Sequence, residues 1–523
     1  MSGFLSFIAE KNDIVNSFVW GFFGIILLIG TGVLMTAVTK CFQVTHIAHW
    51  WKKTIGSLFD KKVISHTGEK ASISQFQALC TALAATVGVG NIAGVSAAIV
   101  TGGPGAVFWM WLAAFFGMMT NYSENILGIY FRRKNPQGEW SGGAMYYLQD
   151  GLGGYKGMKH VGKVLAVLFA VFAVLASFGI GNMGQVNKIV TSVTGAFKID
   201  YLQNKVLYTS DGTDVTMYML VVGIALVILV GVVVIGGLQR IALVAEKIVP
   251  FMVVLYVIGS LVIIGVNFRG IGDAFAAIIS MAFTKQAAWG GAGGIAVSQI
   301  IKKGCQRGVF SNEAGLGSSV MVHSNSNVRE PVKQGLWGIF EVFADTIIVC
   351  SMTALVILTS GVIDLKTGAH DAVSDSTLVG EAFSTVFKFG NVDVGQMFIA
   401  VAVLIFAFTT ILGWSHYGTK AVEYLAGSKS DIVTKIYRAV FVLMILSGAL
   451  MTSSLAWDIS DTFNGLMMIP NLIGVIVLSP LVMKLTSNYV ARRIKGQKIE
   501  PLLSYDPDIQ AENERVIEET GEE

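Results

Sequence analysis

With 523 residues, 53% of them hydrophobic and only 14% charged, and a mean hydropathy of +0.65, the chain departs from soluble domains, in which about 25% of residues are charged. This excludes a row of soluble domains and leaves a polytopic membrane protein whose unit is a helix bundle in a lipid bilayer. The formal charge of +3 gives no ground for a nucleic-acid partner, and Cys41, Cys80, Cys305 and Cys350 have the spacing of neither a disulfide framework nor a zinc site.

A membrane-crossing helix needs roughly 20 apolar residues, and eleven stretches are expected to cross. Residues 1–17 have no basic leader, so 18–39 is expected as a first span rather than a cleaved signal. After a basic loop comes 76–100, which carries Ala85-Thr86-Val87-Gly88-Val89-Gly90-Asn91. Gly88 to Ala93 formally fits the G-x-G-x-x-G/A of dinucleotide sites, but it lies in mid-span rather than between a strand and a helix, which excludes that use. Two readings remain: Gly90 and Gly94 as a small-residue packing face, or a helix unwound around a ligand. The same G-x-G core recurs 227 residues on, in span seven, and this favours unwinding.

Spans follow at 105–131 and 164–187. The second of these ends at Ser177-Phe178-Gly179-Ile180-Gly181-Asn182, with Gln185 beyond. The amides of Asn182 and Gln185 either line a polar cavity or bond across helices. Next come 216–238, 243–266, a Gly-rich stretch at 286–294 and the broken span 295–323, interrupted at Asn312-Glu313-Ala314-Gly315-Leu316-Gly317-Ser318. Glu313 at membrane depth is a coupling or gating candidate, or a structural residue in an ion pair with Arg307 or in a hydrogen bond. Span 332–360 puts Glu341 and Asp345 at i,i+4 on one face. Two close carboxyls in lipid need a partner, a proton or a cation, so both are also coupling or gating candidates. Glu124 and Glu423, near the inner ends of their spans, are expected at the interface. Span 395–425 holds Thr409, Thr410 and Trp414, the last two sharing a face. Their hydroxyls either back-bond to the preceding turn or serve a ligand. Spans 436–456 and 462–487 complete the set, and the acidic tail, 489–523, is expected to be disordered.

Loops 40–73, 132–163, 239–247, 324–333, 420–438 and 484–523 together carry 26 of the 37 Lys and Arg and fall on one side of this layout. The positive-inside rule then puts the N-terminus outside and the C-terminus in the cytoplasm. The two Gly-broken spans are numbers two and seven. Five spans, an odd number, separate them, so the two units enter the membrane in opposite directions. The expected architecture is all-α: an extra span and basic loop (1–73), a first five-helix unit (74–270), an inverted second unit (271–488) and the tail. A matched pair of broken spans is the sequence pointer to a secondary transporter's binding site. There, freed N–H groups and a half-helix N-terminus suit a carboxylate, freed carbonyls suit Na⁺, and Asn91 adds a neutral oxygen.

The runs Ala85–Asn91, Gly102-Gly103-Pro104-Gly105-Ala106-Val107-Phe108-Trp109-Met110-Trp111, Ser177–Asn182 and Arg307-Gly308-Val309-Phe310-Ser311-Asn312-Glu313-Ala314-Gly315-Leu316-Gly317, with Thr410 and Trp414, resemble those of the sodium:alanine (alanine or glycine:cation) symporters. The resemblance covers about 15–490. It implies a LeuT-like fold, a bacterial or archaeal plasma membrane, and Na⁺-driven uptake of alanine or glycine with no organic cofactor. By a wider similarity to LeuT-fold sodium symporters, the carbonyls of Ala84 and Val87 and the hydroxyls of Thr409 and Thr410 would hold Na⁺. The amino acid would sit among Thr86, Gly88, Gly90, Asn91, Asn182, Gly315, Gly317, Thr410 and Trp414, its carboxylate facing the backbone from Gly88 to Asn91 and its side chain walled by Trp414. A carrier of the same fold with another amino acid selectivity, or with proton coupling through Glu341 or Asp345, is the alternative. A channel lacks its filter loop here, and an intramembrane enzyme lacks its paired catalytic motif. Oligomeric state is not set by the sequence.

Overall fold

The computed structural model describes residues 2–59, 72–136, 138–210, 213–283, 297–366, 375–452 and 454–520. The Gly-rich stretch 286–294 lies outside them. The helices in chain order are α1 (Ser2–Val19), α2 (Phe22–Val38), α3 (Gln75–Thr86), α4 (Val95–Gly102), α5 (Gly105–Tyr130), α6 (Lys159–Phe178), α7 (Gly184–Ala196), α8 (Met217–Val234), α9 (Gly237–Val266) and α10 (Ile271–Met281). They continue as α11 (Val297–Asn312), α12 (Val320–His323), α13 (Pro331–Val342), α14 (Ser351–Thr359), α15 (Asp375–Ser384), α16 (Val394–Ala426), α17 (Ser430–Ala449), α18 (Ser454–Val477), α19 (Ser479–Tyr489) and α20 (Pro507–Thr520). Among the described residues three two-stranded antiparallel hairpins sit in loops, one of them Val206–Ser210 with Thr213–Thr216 between α7 and α8.

Helix occupies each of the eleven expected stretches. By length and hydropathy alone seven helices among the described residues could cross a membrane, or eight with the bent pair α3–α4 counted as one; the 56-residue run Val394–Ala449 holds two expected stretches. The 26-residue α5 is long enough to span but is not among the seven. The reason is in its sequence: Thr120, Asn121, Tyr122, Ser123, Glu124 and Asn125 follow one another, and all are buried. This helix lies between α11 and α13, so its polar run faces protein rather than lipid, where polarity is tolerated. By contrast α8 turns Val221, Ile224, Ile228, Leu229 and Val232 outward, an apolar face suited to acyl chains.

Local chemistry sets the entrances to these helices. A capping box starts α3: the Ser74 hydroxyl accepts from the Gln77 N–H at 3.1 Å, and the Gln77 side chain accepts from the Ser74 N–H at 3.0 Å. Asp393 caps α16 by accepting from the Gln396 N–H at 3.0 Å. The tail corrects the expectation of disorder. It forms α20 and docks: Leu503, Ile509 and Asn513 are buried, the Tyr505 N–H donates to the Tyr130 carbonyl, and Lys134 pairs with Glu512 at 2.8 Å. Composition alone read it as solvated, whereas the apolar residues it does have meet a prepared surface at the end of α5.

Candidate functional site

The first break bends α3 against the following Gly90–Gly102 segment by 52°. Asn91 builds it. Its Oδ1 accepts from the Gly88 N–H at 2.8 Å, and its own N–H goes to the Gly88 carbonyl at 3.2 Å. Those N–H groups would otherwise serve the carbonyls of Ala84 and Val87, one helical turn back. The two carbonyls expected to hold Na⁺ thus lose their helical donors. A π turn over Gly90–Gly94 then resumes the helix.

Asn91 departs from its expected role as a neutral oxygen facing a ligand: it is fully buried and both ends of its amide are used. Its Nδ2 donates to Asp345 Oδ1 at 2.6 Å, and its carbonyl accepts from Thr353 at 2.7 Å. Asp345 Oδ2 accepts from Ser311 at 2.8 Å and from Thr346 at 2.9 Å. Three donors on one carboxylate lock α13–α14 to both breaks.

The second break follows α11. Glu313 takes a left-handed backbone, φ 56°, and Gly315 and Gly317 stand at φ 92° and 73°. A non-glycine residue held there signals a surrounding structure that over-determines it. The Glu313 side chain does this: Oε1 accepts from the Trp414 indole N–H at 2.9 Å and Oε2 from the Ser318 hydroxyl. No ion pair joins it to Arg307, which lies instead within electrostatic reach of Asp461. The Asn312 side chain caps the turn, accepting from the Ala314 N–H at 3.0 Å.

The breaks touch. A Cβ added at Gly90 would lie 3.2 Å from the Phe310 ring and 3.4 Å from Ser311 Cα. One added at Gly88 would lie 2.5 Å from Thr410 Oγ1 and 3.6 Å from Gln185 Oε1. The Thr410 hydroxyl donates back to the Phe406 carbonyl at 3.0 Å, which leaves its lone pairs toward Gly88. Thr409 makes the same back-bond at 2.9 Å and points to Met252, on α9. Thr86 back-bonds to Ala82. Trp414 packs on Gly181 of the π turn Gly179–Met183. Asn182 bonds across to the Phe441 carbonyl at 2.6 Å, while its Oδ1 and Gln185 Oε1 find no partner. Asn182 thus bonds across helices, while Gln185 donates to the Ile180 carbonyl at 3.1 Å. All these residues are buried.

Glu341 is fully buried beside His323 Nε2 at 3.0 Å and accepts from Asn121 Nδ2 at 3.2 Å; its other oxygen is unpartnered. Gln334 meets the far nitrogen of His323. Glu423 keeps a partly exposed carboxylate, paired with Lys420 at 2.9 Å. Glu124 does not: it is buried, held by Asn471, which also donates to the Gly315 carbonyl at 2.9 Å and receives Tyr147. Asn471, Tyr147, His323 and Gln334 escaped the sequence reading. Their one signal was polarity within apolar stretches.

The family model described as sodium:alanine symporter family matches residues 5–502. The sodium/alanine symporter AgcS of Methanococcus maripaludis is 39% identical over 93% of this chain and 98% of its own length. An uncharacterized transporter of Haemophilus influenzae is 40% identical over 91% of this chain and 95% of its own. Among solved structures, MhsT in complex with L-phenylalanine superposes with a TM-score of 0.50 at 12% identity, covering 80% of this chain and 99% of that one. The fold is thus LeuT-like.

Proposed function

The chain belongs to the sodium:alanine symporter family, and from that premise we propose that it couples Na⁺ entry to uptake of alanine or glycine by alternating access. It is a multi-pass membrane transporter and not an enzyme. The observation that carries the proposal is the first break: two carbonyls are stripped of helical donors within the turn whose Gly88 abuts Thr410. Neutral oxygens of this kind suit a weakly held monovalent cation. In this reading Ala84, Val87, Thr409 and Thr410 hold Na⁺. Thr86, Gly88, Gly90, Asn91, Asn182, Gly315, Gly317, Thr410 and Trp414 bound the amino acid, and the Gly88–Asn91 hydrogen bond must open to free an N–H for its carboxylate. Glu313, Glu341 and Asp345 link the breaks and set their coupling. Inward Na⁺ movement supplies about 2.3 kcal/mol per charge per 100 mV. Purified protein in proteoliposomes should take up labelled alanine or glycine only with an inward Na⁺ gradient.

A second reading is favoured by the His323–Glu341 pair, fully buried with a free carboxylate oxygen: coupling to a proton on the same fold. Uptake driven by a proton gradient with Na⁺ absent would select it and overturn the first. Termini placed as the basic loops suggest, N outside and C in the cytoplasm of a bacterial or archaeal cell, complete the proposal.

A further inference from the structure

A cavity of about 380 Å³ opens at the end of the bundle that carries the tail helix, and the transport site does not use it. Its floor is His416 and Asn325; its wall carries Lys420, Glu423, Glu139 and Arg438. Three parts of the transport machinery run into it. His416 and Lys420 lie two and six residues beyond Trp414 on α16, about 3 and 9 Å along the axis. Asn325 follows directly on α12, the end of the second broken span. Ile73, also in the wall, leads into α3 and forms a parallel bridge to Ser326: its N–H donates to the Asn325 carbonyl at 3.1 Å and its carbonyl accepts from Asn327 at 2.9 Å.

The fixed charges of this cavity are two acids and two bases, His416 aside, so it does not favour a bare cation or a bare anion. Lys420 is already engaged, at 2.9 Å by Glu423 and at 3.2 Å by the Trp140 carbonyl. Arg438 lies within electrostatic reach of Glu139 and Glu423 without closing an ion pair with either. A guanidinium so placed matches a carboxylate in two-point geometry, and Glu139 stands on hand for an ammonium, whereas Glu423 is already held by Lys420, Ser141 and Asn135. The volume is at the small end for ligand sites, as a small molecule requires. We propose that this cavity is a second site for the zwitterionic amino acid, occupied on the tail side between release from the central site and escape, with Arg438 on the carboxylate and Glu139 on the ammonium.

The inference rests on the transport reading, and the test separates the two. In oriented proteoliposomes, the half-saturation of labelled L-alanine is measured from the tail side and from the opposite side, for the wild type, Arg438→Gln, Arg438→Lys and Glu139→Gln. The ratio of tail-side to opposite-side half-saturation should rise about tenfold in Arg438→Gln, less in Glu139→Gln, and recover toward wild type in Arg438→Lys. A ratio unchanged in both neutral variants, or both sides weakened equally, overturns the second site while leaving the transport reading standing. A wild type that moves neither alanine nor glycine overturns both.

Discussion

A methyl group at position 88 would sit 2.5 Å from the Thr410 hydroxyl, and one at 181 would enter the Trp414 indole. These two glycines matter for the space they leave. Gly181→Ala must push Trp414 aside, and with it the indole N–H that satisfies Glu313. We expect uptake to fall at least tenfold with membrane expression retained, measured as initial rates at equal protein. Trp414→Phe keeps an aromatic ring but loses the indole N–H together with the five-membered ring that carries it. A buried acceptor left unsatisfied costs about 1–3 kcal/mol, so transport should weaken and the detergent melting temperature should drop. An unchanged melt would deny the indole its structural share. Thr410→Ala deletes a hydroxyl proposed to face Na⁺. The half-saturation for Na⁺ should rise about tenfold, the effect of roughly 1.4 kcal/mol, with maximal rate at saturating Na⁺ largely kept. Equal Na⁺ affinity would remove Thr410 from the ion site.

At the scale of helices, the second broken span is held open by a residue from another part of the chain. Asn471 of α18 donates to the Gly315 carbonyl and to Glu124, which lies 347 residues away in sequence. Asn471→Leu leaves a buried carboxylate and a buried carbonyl without their donor, expected to cost on the order of 2–3 kcal/mol, read as a lower melting temperature; Glu124→Gln in the same background should recover part of it. Both breaks were legible in the sequence because glycines inside apolar runs are a local signal. The clamps on them were not. Asn91 closing on Gly88, Asp345 gathering Asn91, Ser311 and Thr346, and Asn471 bridging Glu124 all depend on partners that only folding brings near. The Glu313–Arg307 alternative failed for the same reason: adjacency in sequence suggested a pair, while the helix directs Arg307 toward Asp461.

Over the whole molecule, span positions followed from hydropathy, whereas α5 shows where hydropathy misleads, since a helix enclosed by protein escapes lipid's demand for apolar residues. The tail shows the converse: a polar segment becomes ordered once a surface receives it. Deleting residues 501–523 would expose that surface and should lower the melting temperature while Na⁺ dependence of uptake persists; its loss would make the tail part of the cycle. Cys41 is exposed at the end of α2. In intact cells an impermeant maleimide should leave it unlabelled and label it after permeabilisation, if the N-terminus is outside.

The parallel bridge between Ile73 and Ser326 fastens the foot of one broken helix to the foot of the other with two backbone hydrogen bonds. Arg132 braces the second foot by reaching the carbonyls of Ser324, Ser326 and Val328. At about 1 kcal/mol net per bond, two such bonds bias the seam toward its fastened arrangement by roughly thirtyfold. The cargo therefore has only a small bias to reverse. A substitution that adds one more bond at this seam should deepen that bias about fivefold.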